Sequence, residues 1–185
     1  MAKFIYELSM LKRIKREGWR VAGVERPESV ADHCLRAAQI GFILAELEGY
    51  PNPSEVSAML IFHDIGECRI GDLHSLAKVY TKTNEKEAVF HQTRRIGNIG
   101  KKIFDLWKNF EERLKPAAII AKDADYLEMA ISAREYMWFG YPTEKWMENT
   151  KSKLKTESAK KIFDIISKTS PSSWWLDSIQ KPKKI

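Results

Sequence analysis

An all-α fold follows from three features of the chain. Apolar residues recur at intervals of three and four. Gly, Pro and Asn punctuate the runs, and no clear period-two segment or Asn-Gly hairpin is present. The helical runs are short and unequal and sustain no heptads, so a single compact irregular bundle is expected rather than a coiled coil. The 185 residues, 44% hydrophobic and 30% charged, suit one domain with a real core. Residues 1–170 are expected to form it, and 171–185 a basic C-terminal tail.

Each element has its own warrant. Phe4, Leu8, Leu11 and Ile14 fall at helical spacing. A loop with Gly18 and Gly23 follows and ends at Arg26-Pro27-Glu28. Ser29 caps a second helix, with Asp32 at capping-box distance, and the helix runs through His33, Ala37, Ile40, Phe42 and Leu44 to Gly49-Tyr50-Pro51. Ser54 starts a third, carrying Val56, Met59, Leu60, His63 and Asp64. Gly66 and Gly71 interrupt the pattern, so 67–72 is expected as a turn or bent segment. Polar helical segments cover about 84–95 and 99–113. Pro116 opens a helix over 117–139 that contains Lys122-Asp123-Ala124-Asp125. Pro142 breaks the chain, and a last helix is expected over 143–168, before Ser170-Pro171-Ser172-Ser173.

Composition narrows the functional class. No apolar stretch is long enough to span a bilayer, and the N-terminus lacks a signal-peptide apolar region, so a cytoplasmic protein without membrane attachment is expected. Cys34 and Cys68 form no CxxC motif and are expected to pack. The net charge of +6 attracts anions such as nucleotides, but the excess is diffuse and its densest cluster, Lys181-Pro182-Lys183-Lys184, is short. A nucleic-acid partner is therefore not expected.

The chemistry concentrates on His63-Asp64, at the end of the apolar run Ala58-Met59-Leu60-Ile61-Phe62. A buried carboxylate there needs compensation, by a metal ion or by a cation such as Arg36. His33, His63, Asp64 and one aspartate of the 123/125 pair could make a mononuclear site. Two imidazoles and two carboxylates suit a divalent transition metal, Mn, Fe, Co, Ni or Zn, and leave open coordination positions for hydrolysis. Glu67 lies four residues after His63 and three after Asp64, on the same side if the helix continues, where it can orient a water and accept its proton. Asp72 is a second candidate in that segment.

The segments Arg26-Pro27-Glu28-Ser29-Val30-Ala31-Asp32-His33 and His63-Asp64-Ile65-Gly66-Glu67-Cys68-Arg69-Ile70-Gly71-Asp72 resemble the HD-domain metal-dependent phosphohydrolases, in particular their 5′-deoxynucleotidase subgroup. Similarity extends from about Leu11, through Gly18-Trp19 and the Lys122-Asp123-Ala124-Asp125 stretch with Glu128-Met129, to Tyr136. The resemblance implies a metal held by His33, His63, Asp64 and Asp125, the last chosen over Asp123 because Glu128-Met129 fixes the register. It implies that Glu67 activates or positions water. Asp72 would contact the nucleotide or, with Glu67, hold a second ion. Trp19 would sit near the sugar and disfavour a ribose 2′-hydroxyl, and Leu73, His74 and Ser75 would complete the substrate contacts.

The activity so implied is hydrolysis of (2′-deoxy)nucleoside 5′-monophosphates by a homodimer, with Trp138, Trp146, Trp174 and Trp175 as candidate interface aromatics. The competing expectations are an HD-type phosphodiesterase or alarmone hydrolase, a non-catalytic nucleotide-binding HD protein and a helical scaffold. Gly18 stands where bacterial members carry arginine, leaving Arg16 or Arg20 to supply the charge. His74 replaces a common proline, Ser75 a threonine and Asp123 a glutamine.

Overall fold

The computed structural model describes residues 1–179, and these are helical apart from turns and one isolated antiparallel bridge between Lys15 and Ser29. Three helices build the centre: α3 (Val30–Leu47), α4 (Pro53–Phe62) and α9 (Pro116–Trp138). Before α3 stand α1 (Ala2–Leu8), a 3₁₀ turn (Ser9–Lys12) and α2 (Glu17–Val21). Between α4 and α9 lie α5 (Glu67–Ile70), α6 (Ser75–Tyr80), α7 (Glu85–Thr93) and α8 (Gly97–Glu112). After α9 come α10 (Glu144–Lys151), α11 (Glu157–Lys168) and α12 (Ser173–Ile179).

The start of α3 is fixed as its sequence suggests. Ser29 Oγ accepts from Asp32 N–H while the Asp32 carboxylate accepts from Ser29 N–H, a complete capping box. Asn52 caps α4 by accepting from Glu55 N–H, and Pro53 occupies its first turn. The two helices approach closely at Gly41, where a Cβ would lie 2.3 Å from Leu60 Cδ1. On α9 the buried Ala117, Ala121, Ala124, Ala130 and Ala133 let neighbouring helices come near. Full burial of Leu44, Val56, Met59, Leu60 and Leu127 stabilises this core by about 1.5–3 kcal/mol per side chain. A second cluster, Phe4, Ile65, Val89, Ile103 and Trp107, packs α1, α7 and α8 around the segment that follows His63-Asp64. Cys34 and Cys68 are free thiols that pack with Leu11 and Val30.

In several places the structure departs from the expected elements. The first helix ends at Leu8 and tightens into the 3₁₀ turn, and Gly18 lies inside the short α2 rather than in a loop. The one-turn α5 occupies the expected bend, and Gly71 leaves it at φ 76°, a conformation open to glycine. It is followed by an unforeseen helix, α6, capped by His74 Nδ1 accepting from Ala77 N–H; histidine is a poor signal for an N-cap.

The helix expected over 143–168 is two helices, because the buried Asp123 carboxylate accepts from Lys155 N–H (3.0 Å), Thr156 N–H (2.7 Å) and Thr156 Oγ–H (2.7 Å). Those donors are unavailable to a continuous helix, and Leu154 is buried at the break. Within the stretch expected as a tail, α12 covers Ser173–Ile179. The Lys181–Lys184 cluster lies outside the described residues.

Candidate metal centre

His33 in the second turn of α3, the His63-Asp64 corner after α4, and Asp125 on α9 meet between these helices. The side chains of His33 and His63 are buried. His33 Nε2 lies 3.3 Å from His63 Nε2 and 3.2 Å from Asp125 Oδ1. Asp64 Oδ2 stands 3.1 Å from His63 Nε2 and 3.7 Å from His33 Nε2. Ligand atoms of His33, His63 and Asp64 all fall within 4.8 Å of one another.

The other ring nitrogens are occupied. His33 Nδ1 makes a very short hydrogen bond with Glu128 Oε2, and His63 Nδ1 donates to Leu60 O at 2.6 Å. With both Nδ1 protons committed to oxygen acceptors, the Nε2 lone pairs of the neutral rings face one another. Such a pair needs a cation or a proton between its members. Asp64 Oδ2 is buried without a hydrogen-bond partner. The donor chemistry and this orphaned oxygen both fit a divalent cation.

The charges around the centre are coupled. Burial alone would raise the Asp64 carboxyl, but His63, His33 and Arg16 hold it well below the usual carboxylate range. Asp125 is lowered in the same way, against burial, by Lys122 and the two histidines. Lys122 Nζ donates to Asp125 Oδ2 at 2.7 Å and lies over the Phe110 ring. His33 is raised, Glu128 and Asp125 outweighing burial and Arg16. Glu128 accepts in turn from Arg36 Nε (3.0 Å) and Nη2 (2.8 Å). The arginine near Asp64 is therefore Arg16, at 3.6 Å, and not Arg36.

Glu67 opens α5, only 8% exposed, with Oε2 unpartnered. Burial, then Asp64 and Asp72, push its carboxyl up to about 9. Such a group binds a proton readily, and a nearby cation restores the carboxylate. Asp72 spends one oxygen on Glu17 N–H (2.6 Å), fastening the start of α2.

Trp19, Asp72, Leu73, His74 and Ser75 line one cleft of about 160 Å³. Arg16 and Lys78 share it and supply its positive charge, whereas Arg20 turns away to pair with Glu17 at 2.9 Å. Gly18 thus leaves the cation's place to Arg16. Trp146, expected as a surface aromatic, packs against Trp19 with ring centroids 5.6 Å apart; Trp138, Trp174 and Trp175 are exposed.

Sequence reasoning missed Lys122 as the partner of Asp125, though the i,i+3 spacing was available. It used Glu128 only as a register marker, although i+3 from Asp125 places it on the same helical face. Asp123, the alternative aspartate, is committed to the 155–156 backbone and faces away from the histidines.

Comparisons with known proteins bear on this arrangement. A family model described as HD domain matches residues 8–169. The 5′-deoxynucleotidase HDDC2 of Dictyostelium discoideum is 36% identical over 158 residues, 80% of this chain and 80% of that protein. The protein of the same name from Danio rerio is 31% identical over 140 residues, 74% of this chain and 69% of its own length. Among solved structures, a conserved hypothetical protein from Pyrococcus furiosus superposes with a TM-score of 0.74 at 28% identity, covering 91% of this chain and 100% of that one.

Proposed function

The chain belongs to the HD-domain family, and from that premise we propose that it is a metal-dependent phosphomonoesterase that hydrolyses 2′-deoxynucleoside 5′-monophosphates to nucleoside and phosphate. One observation carries the proposal: two imidazoles with committed Nδ1 protons face each other Nε2 to Nε2, beside an orphaned Asp64 oxygen, next to a cleft lined by Arg16, Trp19 and Asp72. The names of the Dictyostelium and zebrafish relatives support the substrate class.

His33, His63, Asp64 and Asp125 would hold the cation, of the Mn, Fe, Co, Ni or Zn type, and Glu67 with Asp72 could hold a second. When bound, such an ion polarises a phosphoryl oxygen and neutralises developing charge. The chain's own residues do the rest. Arg16 and Lys78 attract the phosphate. Glu67 orients the attacking water and accepts its proton. Trp19, Leu73, His74 and Ser75 position the nucleoside, and the helices packed over His33 and His63 exclude bulk solvent. The names of those relatives favour a mononucleotide over the larger substrates of a phosphodiesterase or alarmone hydrolase.

A homodimer and a cytoplasmic setting complete the proposal. The first is supported by exposed Trp138, Phe139 and Trp174, and the second by two unpaired thiols. Among the described residues no helix is long and apolar enough to cross a membrane.

The test is a panel of ribo- and deoxyribonucleoside monophosphates with Co²⁺ or Mn²⁺. Phosphate release from the deoxy members is expected. No release from any of them defeats the proposal, and nucleotide binding without turnover would favour a non-catalytic binder.

A further inference from the structure

Trp19 is almost wholly buried yet lines the cleft, so the placement of its indole sets one wall of it. Two rings flank the indole, Tyr136 at 5.1 Å and Trp146 at 5.6 Å, both tilted. They pack against it within the main core cluster. Its single polar anchor is Glu28: Trp19 Nε1–H donates to Glu28 Oε1 at 3.0 Å. An indole has one donor and no acceptor, so this bond is what aims its polar edge.

Glu28 is itself held on three sides. The same Oε1 accepts from Ser132 Oγ at 2.9 Å. Arg36 Nη2 lies 3.8 Å from Oε2. The Glu28 main-chain N–H donates to the hydroxyl of Tyr136, one of the flanking rings, at 3.1 Å. Ser132 and Arg36 also reach Glu128, which orients His33. One polar network therefore joins the indole to the histidine pair.

We propose that Glu28 is the positioning residue that fixes the Trp19 indole in the cleft and so sets the discrimination between deoxyribose and ribose. This rests on the nucleotide reading of the cleft. Glu28 touches no substrate and acts only through Trp19. Burial, then Glu128, raises the Glu28 carboxyl. One oxygen accepts both the Trp19 and Ser132 bonds, and glutamine retains such an oxygen.

The test compares kcat/KM for dAMP and AMP in the wild-type protein and in Glu28→Ala, Glu28→Gln, Trp19→Phe and the Trp19→Phe/Glu28→Ala double variant. Glu28→Ala should lower the dAMP:AMP ratio by about tenfold, and Glu28→Gln should restore most of it. In the Trp19→Phe background, Glu28→Ala should lower the ratio no further. An unchanged ratio in folded Glu28→Ala, a Glu28→Gln variant no better than Glu28→Ala, or additive losses in the double variant would each overturn the proposal. Should Glu28→Ala fail to fold, Glu28→Met keeps the volume, removes the acceptor and carries the same expectation. If the wild-type protein hydrolyses neither nucleotide, the catalytic proposal fails separately. The ratio is then read from dissociation constants by calorimetry, and equal wild-type constants for dAMP and AMP overturn the role of Glu28.

Discussion

Glu128 places its carboxylate against Nδ1 of His33, and neither side chain is exposed. This contact fixes the tautomer and direction of the imidazole, and an anionic partner makes its free nitrogen a better donor to a cation. Glu128→Gln should therefore weaken Co²⁺ or Mn²⁺ binding by about 10–100-fold. Calorimetric titration of metal-stripped protein measures it. An affinity equal to wild type would show that Glu128 only packs.

Glu67→Gln separates binding from turnover. The amide keeps the shape of the side chain but cannot take a proton, so kcat should fall by about 10²–10⁴-fold. The first-bound cation and the nucleotide should still bind. A variant with wild-type kcat would remove Glu67 from the mechanism.

Asp123 and Asp125 are two residues apart and do opposite work. Asp123→Ala removes the acceptor for two backbone N–H groups and the Thr156 hydroxyl at the α10–α11 break. Leaving them unpaired should cost about 2–4 kcal/mol. Urea unfolding measures the loss, and cation affinity at low temperature should survive. Loss of metal binding with full stability would mean that the two aspartates had been assigned the wrong way round.

These two positions mark the limits of what the sequence discloses. Ser29, Asp32 and His33 announce their helix start because a capping box is local, and that start places His33 facing His63. The apolar run before His63-Asp64 likewise signals a buried pair. The break between α10 and α11 is invisible locally, because its cause is a carboxylate 32 and 33 residues upstream. The pairing of Arg16 with Asp64 and of Glu128 with His33 also joins distant segments. Their side chains are ordinary charged residues until the helices pack.

Acid stability should depend on Glu7. Arg69 donates two hydrogen bonds to its carboxylate, 2.5 and 3.1 Å, tying α1 to α5, and the Arg69 bond holds the Glu7 carboxyl below its ordinary value. A lowered carboxyl contributes stability above its unfolded pKa of about 4.3, and that contribution is lost as pH falls through the lower folded value. The pair is partly exposed, so Glu7→Gln should cost about 1 kcal/mol or less at pH 7. The difference from wild type should vanish in strong acid. Denaturation midpoints across pH measure it, and a difference that persists in strong acid would rule out the ion pair as its source.

The opposed aspartates of α9 also limit how the chain can change in length. At 100° per residue, Asp123 and Asp125 point about 200° apart, one toward the 155–156 backbone and the other toward the histidines. A single residue inserted between them would swing one carboxylate by about 100° relative to the other. The chain would then keep either its C-terminal anchor or its histidine-facing carboxylate. This stretch of helix is thus closed to insertions and deletions.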